Sequence, residues 1–203
     1  MTRLLLATNN SGKVLEMREL LSALDVELVT PRQLRIDILV EESGKSYAEN
    51  AEIKARAYAR DANILTLADD SGLEVDALGG APGLQSARYA SIPNATDAHR
   101  RLYLLKNLRG KPHPWNAKFR CVVAIFSPLG GTIRFTEGVC PGEIISEERG
   151  RGGFGYDPIF FIPELGCTMA EMSMQDKNRL SHRARAVRKA IPILSELLSK
   201  LSS

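Results

Sequence analysis

The chain has 203 residues, 44% of them hydrophobic and 25% charged, with 27 basic against 24 acidic side chains for a net charge of +3. That is the make-up of an ordinary folded domain able to bury a core, and the charge is too small and too scattered for a general nucleic-acid binder. Cys121, Cys140 and Cys167 are odd in number and widely spaced, which argues against a disulfide framework or a zinc site and fits a reducing cytoplasm. The first apolar run is too short for a signal peptide or a membrane span, so no membrane association is expected.

Leu4 to Ala7 predicts a strand. Val14, Met17, Leu21 and Leu24 then recur at spacings of three and four, the signature of a helix face, with the polar turn Thr8-Asn9-Asn10-Ser11-Gly12 between them. Val26 to Val29 predicts a second strand, stopped by Pro31. Ser46-x-x-Glu49 has capping-box spacing, and Tyr47, Ala51, Ala55, Tyr58 and Ala62 mark one face of the helix that follows. Ile64 to Ala68 predicts a strand that delivers Asp69-Asp70-Ser71-Gly72 at its C-terminal end. Gly79-Gly80-Ala81-Pro82-Gly83 is a loop, and Thr96 is placed to cap a helix through Leu108. Arg109 to Trp115, with two prolines, is the expected boundary between lobes. Phe119 to Phe126 is apolar on both faces, as a central strand is, and Pro128-Leu129-Gly130-Gly131 turns it into Thr132 to Val139 as an antiparallel hairpin. Ala184, Val187, Ile191, Leu194, Leu198 and Leu201 form a helical stripe that Pro192 should kink or interrupt. The sum is a mixed α/β sheet flanked by helices, one domain over residues 1–203.

Five groups of residues carry chemistry. Thr8 to Lys13, a polar turn between strand and helix, aims backbone N–H groups and a positive helix end at one spot, which suits phosphate or, more simply, an N-cap. It lacks the spacing of a Walker P-loop. Asp69 and Asp70 are adjacent carboxylates, costly unless a cation or proton sits between them, and hard oxygens of this kind suit magnesium. Glu41-Glu42 lies in a loop and becomes a ligand pair only if it meets Asp70 in space. Gly150 to Asp157 sets Phe154 and Tyr156 among glycines, a way to bring backbone close to a ligand while a ring stacks on a base. Lys177 is grouped with Ser181-His182-Arg183, where Ser181 can cap the final helix and so places His182 and Arg183 in its first turn; cations there oppose the macrodipole and need a compensating anion or carbonyl. His99 and His113 read as surface residues.

Taken in order, these residues resemble the inosine and xanthosine triphosphate pyrophosphatase family. Thr8-Asn9-Asn10-Ser11-Gly12-Lys13, Glu49-Asn50-Ala51 with Lys54-Ala55, Ala68 to Leu73, Gly79 to Gly83 with Ser86-Ala87-Arg88-Tyr89, and Gly153-Phe154-Gly155-Tyr156-Asp157-Pro158 carry the likeness. Thr168, Ala170-Glu171-Met172, Lys177 and Ser181-His182-Arg183 complete it. The resemblance implies an elongated, two-lobed α/β structure with a central active-site cleft, a homodimer, and cleavage of deaminated purine triphosphates to monophosphate and pyrophosphate, which cleanses the nucleotide pool. It implies that Glu41 and Asp70 hold magnesium, that Asp70 also activates water, and that Ser71 and Thr8 to Lys13 hold the triphosphate. Phe154, Gly155, Tyr156, Asp157, Lys177, His182 and Arg183 are the implied base and substrate contacts. Rival readings are a pyrophosphatase for other triphosphates and a non-catalytic nucleotide or RNA module, which the adjacent acids disfavour.

Overall fold

The structure, a computed structural model, describes residues 2–202. Strands β1 (Arg3–Leu6), β2 (Glu27–Val29), β3 (Leu65–Val75), β4 (Trp115–Ser127), β5 (Thr132–Ile144), β6 (Phe160–Ile162) and β7 (Cys167–Thr168) form one mixed sheet in the order β2-β1-β3-β4-β5-β6-β7. The α-helices are α1 (Ser11–Leu20), α2 (Tyr47–Ala62), α3 (Asp97–Leu108), α4 (Met174–Leu180) and α5 (His182–Ser202). The chain divides into two compact units, unit 1 being Met1–Asp70, Cys121–Gly138 and Arg183–Ser203, and unit 2 Ser71–Arg120 and Val139–His182. No helix among the described residues is long and apolar enough to cross a membrane.

In unit 1, β1 pairs in parallel with β2 and with β3, Leu4 lying opposite Leu28 and Leu65. Successive strand residues point to opposite faces, and here both faces are covered. Leu4, Leu6, Leu65, Leu67, Cys121, Val123 and Ile125 pack with Met17 and Leu21 and with Ala186, Val187, Ala190, Leu194 and Leu198 of α5. Leu5, Ala7, Ala68, Ala124 and Phe126 pack instead with Ala51, Ala55, Tyr58 and Ala59 of α2. Burial on both sides explains why these strands read as continuous apolar runs. Pro192 does not interrupt α5, which stays a single helix with Pro192 inside it. Its apolar stripe continues past the proline to Leu194 and Leu198, so tertiary packing outweighs the lost backbone hydrogen bond.

In unit 2, β6 runs antiparallel to both β5 and β7, with Phe161 opposite Glu143 and Thr168. Leu73, Val75, Leu104, Leu108, Trp115, Phe119, Ile144, Tyr156, Ile159, Phe160 and Met169 form its core. Thr96 caps α3 as expected, and His99 completes the box, its Nδ1 accepting from Thr96 N at 3.2 Å while its own N–H donates to Thr96 Oγ1 at 3.3 Å.

Three sequence expectations need correction. β3 does not stop before the acids but runs through Asp69, Asp70, Ser71 and Gly72. The segment from Arg109 to Trp115 is not a boundary, since it lies inside unit 2 and Trp115 already belongs to β4. The capping box at α2 is half formed: Ser46 Oγ accepts from Glu49 N, but the Glu49 carboxylate takes Lys45 N at 2.8 Å. The strands β6 and β7 and the helix α4 are too short for periodicity to announce.

Leu67 is fully buried at the centre of the first cluster. Leu67→Ala is expected to lower unfolding free energy by about 2–5 kcal/mol, read as a lower midpoint in urea with an unchanged slope.

Candidate active site

The continuation of β3 decides the electrostatics. Asp69 and Asp70 are consecutive strand residues, so their side chains point to opposite faces of the sheet. Asp69 shares the Leu67 face with α1 and α5, and Asp70 shares the Ala68 face with α2. The expectation that a cation or a proton would sit between them is therefore corrected: each buried acid is bonded to its own set of partners.

Asp70 is met by two residues of α2. Asn50 Nδ2 donates to Asp70 Oδ2 at 3.1 Å and Lys54 Nζ to Oδ1 at 3.2 Å. Asn50 and Lys54 are four apart, hence one above the other on the same helix face. Lys54 also holds Glu42 Oε1 at 2.8 Å. The loop before α2 is tied down by Gly44 N–H donating to Asn50 Oδ1 at 2.8 Å, an approach so close that a Cβ on Gly44 would lie 2.7 Å from that oxygen. Glu42, and not the exposed Glu41, is thus the acid that the structure brings to Asp70. Burial pushes the Asp70 carboxyl above its ordinary range and Glu42 adds to this, against the opposing pull of Lys54. Burial disfavours the Lys54 ammonium, yet Asp70, Asp69 and Glu42 together hold its pKa above the usual value.

Hard oxygens from Asp70 and Glu42 already converge on one cationic centre, the Lys54 ammonium. That donor chemistry fits magnesium, which takes one or two carboxylates and completes its shell with phosphate oxygens and water. Among the described residues no cluster of three or more His, Cys, Asp or Glu side chains forms a self-sufficient metal site.

Asp69 accepts from Lys13 Nζ at 2.9 Å and from Arg183 Nε and Nη2, both at 3.3 Å. Arg183 Nη1 donates to Glu16, and the Arg183, Glu16 and Asp69 side chains are all at most 2% exposed. Although burial favours the neutral acid, Lys13, Arg183 and Lys54 hold Asp69 well below the usual carboxylate range. Arg183 was expected to contact the substrate base. Its guanidinium instead lies in a buried ion cluster with two protein carboxylates, which also supply the anion that a cation in a first helical turn needs. Cys121 Sγ lies 3.8 Å from Asp69 Oδ2, and burial pushes the thiol up, so it is inert.

The turn ahead of α1 serves both of its sequence readings. Asn10 is the N-cap, its side chain accepting from Lys13 N at 3.1 Å, and Thr8 Oγ1 accepts from Asn10 N at 3.2 Å. The N–H groups of Ser11 and Gly12 are first-turn donors without an intrahelical acceptor. Thr8, Asn9 and Ser11 border a cavity of about 760 Å³ that Arg18, Arg32 and Arg35 also line. No spacing signal marks those arginines, which reach this wall from α1 and from the irregular segment after β2.

In unit 2, Asp157 accepts from Phe154 N at 2.9 Å and from Lys177 Nζ at 2.6 Å through the same oxygen, and the Lys177 ammonium lies 4.9 Å from the Phe154 ring centroid. Gly153 is obligatory: at φ +71 a Cβ there would lie 2.1 Å from Asp157 Oδ2. Tyr156 is buried, its hydroxyl donating to Ser86 O at 2.9 Å, so it anchors the loop and Phe154 is left as the ring that can stack. His182 is buried with its ring stacked on Phe119, centroids 4.7 Å apart. Ser71 follows the two acids within β3.

Comparison with known proteins gives one consistent answer. The sequence pattern described as Ham1 family matches residues 4–193. A dITP/XTP pyrophosphatase of Desulforamulus reducens is 48% identical, covering 96% of this chain and 96% of its own length, and one of Listeria monocytogenes is 42% identical over 100% and 99%. Among solved structures, a HAM1 protein from Coxiella burnetii superposes with a TM-score of 0.87 at 41% identity, over 97% of this chain and 100% of the other. The Staphylococcus aureus Ham1 protein gives 0.84 at 37%, over 96% and 99%.

Two outcomes test the ion cluster. Arg183→Met leaves Glu16 and Asp69 buried without their shared cation and is expected to cost about 3–5 kcal/mol of stability, measured by equilibrium denaturation at neutral pH. Because the Asp69 pKa is depressed on folding, its contribution is complete above the unfolded value near pH 4 and is lost as the pH falls below it. Asp69→Asn should flatten the dependence of stability on pH in that acid range, whereas an unaltered acid slope would mean that Asp69 is not ionised in the fold.

Proposed function

Because the chain belongs to the Ham1 family, we propose that it hydrolyses deaminated purine nucleoside triphosphates, those of inosine and xanthosine, to the monophosphate and pyrophosphate. The observation that carries this reading is the setting of Asp70: a buried carboxylate of raised pKa, oriented on both oxygens by Asn50 and Lys54 and adjoined by Glu42. A carboxylate tuned upward and held in one geometry is suited to take a proton from an attacking water.

Asp70 and Glu42 would hold magnesium, with Glu41 beside them in the loop, and when bound the ion neutralises phosphate charge and acidifies water. The chain's own groups account for the rest. Lys54 bonds the two acids and draws them close together. The triphosphate falls to Lys13, to Ser71, to the polar side chains of Thr8, Asn9 and Asn10, and to the N–H groups of Ser11 and Gly12 at the positive end of α1. Arg18, Arg32 and Arg35 add positive field beside that turn. Asp69 holds Lys13 in place, while Arg183 acts on Asp69 rather than on the base.

Phe154 stacks on the purine. Lys177 and His182 are the side chains whose N–H groups would meet a carbonyl at position six, which hypoxanthine and xanthine present and adenine replaces with an amino donor. Setting donor against donor leaves buried groups unpaired, and that penalty is the source of selectivity. The homodimer implied by resemblance belongs to the same proposal, and light scattering of the purified protein tests it.

The deciding experiment is pyrophosphate release from a panel of inosine, deoxyinosine, xanthosine, adenosine, guanosine and thymidine triphosphates, with and without magnesium. Deaminated purines are expected to exceed adenosine triphosphate in kcat/KM by about a hundredfold or more, with activity dependent on the metal. Orthophosphate as product, or equal rates across the panel, would overturn the reading. Asp70→Asn should lower kcat by about a thousandfold at saturating magnesium; near-normal turnover removes Asp70 from the reaction.

A further inference from the structure

Within unit 2, the loop that carries Phe154 is gripped from outside by helix α3. Asp97 Oδ2 accepts from Gly155 N at 2.7 Å, and Arg101 Nη1 donates to Gly155 O at 2.8 Å. Both backbone groups of one residue are thus taken by two side chains four positions apart, which share one helix face. Each of these side chains is itself fixed. Arg101 forms a two-point pair with Glu148, Nε to Oε1 at 2.8 Å and Nη2 to Oε2 at 2.9 Å. Asp97 is paired with Arg100, which also donates to Ala95 O at 2.7 Å and Ala87 O at 3.2 Å.

The loop has need of such a grip. Phe154 stands between Gly153 and Gly155, both at positive φ, and glycines in such positions lose the most conformational freedom on ordering. Asp157 fastens the N-terminal side of this stretch through Phe154 N. Gly155 has open space where a side chain would be, so packing does not fix it, and the hydrogen bonds from α3 take over that task. The four side chains of the clamp, two acids and two arginines, cancel in charge, which makes them unsuited to holding an anion themselves.

We propose that Asp97 and Arg101 are positioning residues for the base-binding loop, setting the direction of the Phe154 ring and hence the affinity for the purine rather than the chemical step. This rests on the reading that the loop holds the base. With inosine triphosphate as substrate, Asp97→Ala should raise KM about tenfold, the loss of one charge-assisted hydrogen bond, with kcat within about twofold. Asp97→Asn, which keeps an acceptor for Gly155 N–H, should recover most of the wild-type KM. Arg101→Gln provides a second, independent variant with the same expected split. In a double-mutant cycle, Asp97→Ala should add little to the KM increase already caused by Phe154→Ala. A lowered melting temperature with unchanged KM, or fully additive effects of Asp97→Ala and Phe154→Ala, would overturn the clamp. Absence of pyrophosphate release by the wild-type enzyme would instead overturn the functional reading, so the two failures are distinguishable.

Discussion

The structure turns on the alternation of side chains along β3 at Asp69 and Asp70. Two carboxylates on neighbouring residues repel each other wherever they share a solvent pocket, and in a low-dielectric interior the repulsion grows. A strand separates them without altering the sequence, because its period of two sends each to a different layer. Asp69 then meets α1 and α5, and Asp70 meets α2. The cations bonded to them come from different elements, and the two acids end with opposite pKa shifts, Asp69 held down and Asp70 pushed up. The different duties proposed for them follow that split.

The Asp69 side is a structural investment. Glu16, Arg183, Asp69 and Lys13 place two carboxylates against two cations, and the first three are buried. A buried pair of this kind is weak support for stability, since desolvation offsets most of the attraction. What it supplies is geometry. Arg183 has a planar fork of donors, and the orientation of Asp69 by that fork fixes in turn where Lys13 can stand. A lysine stem has four rotatable bonds and holds little direction of its own, so the direction has to be imposed by its partner.

Much of this was legible in the sequence, for definite reasons. The apolar runs at Leu4 to Ala7 and Phe119 to Phe126, and the stripe from Ala184 to Leu198, announced sandwiched strands and a packed helix because burial on both faces or on one leaves a periodic mark. Motif order singled out Lys13, Asp70, Phe154, Asp157 and Lys177, and the structure joins Lys13 to Asp69, Asp70 to Lys54 and Lys177 to Asp157. What remained hidden was direction. Asp69 and Asp70 looked like a shared site because a strand end was expected where the strand in fact continues, and a single further residue of strand sends them apart. Glu41 and Glu42 are indistinguishable by type, and the fold sets Glu42 against Lys54. Arg183 and Tyr156 read as facing a ligand because cations and aromatics near glycines often do, and no one-dimensional pattern reports their bonds to Glu16 and Ser86. The cap at Thr96 was visible, whereas the reach of Asp97 and Arg101 to Gly155, more than fifty positions away, has no local signature at all.

Burial and contact separate the two faces once more. On the Asp69 face Lys13 and Arg183 both bond the carboxylate, which is held well below the usual range. On the Asp70 face one ammonium, Lys54, is shared between Asp70 and Glu42. Burial and Glu42 there outweigh the pull of Lys54 and Lys13, and the Asp70 carboxyl is pushed up. An added cation beside Asp70 would favour its ionised form, as an opposite charge does for any buried acid. The demand for positive charge therefore falls on Asp70, the acid proposed as base, and not on its neighbour in sequence. Lys54, by holding Glu42 and Asp70 a hydrogen bond away from one nitrogen, focuses that demand at a single point.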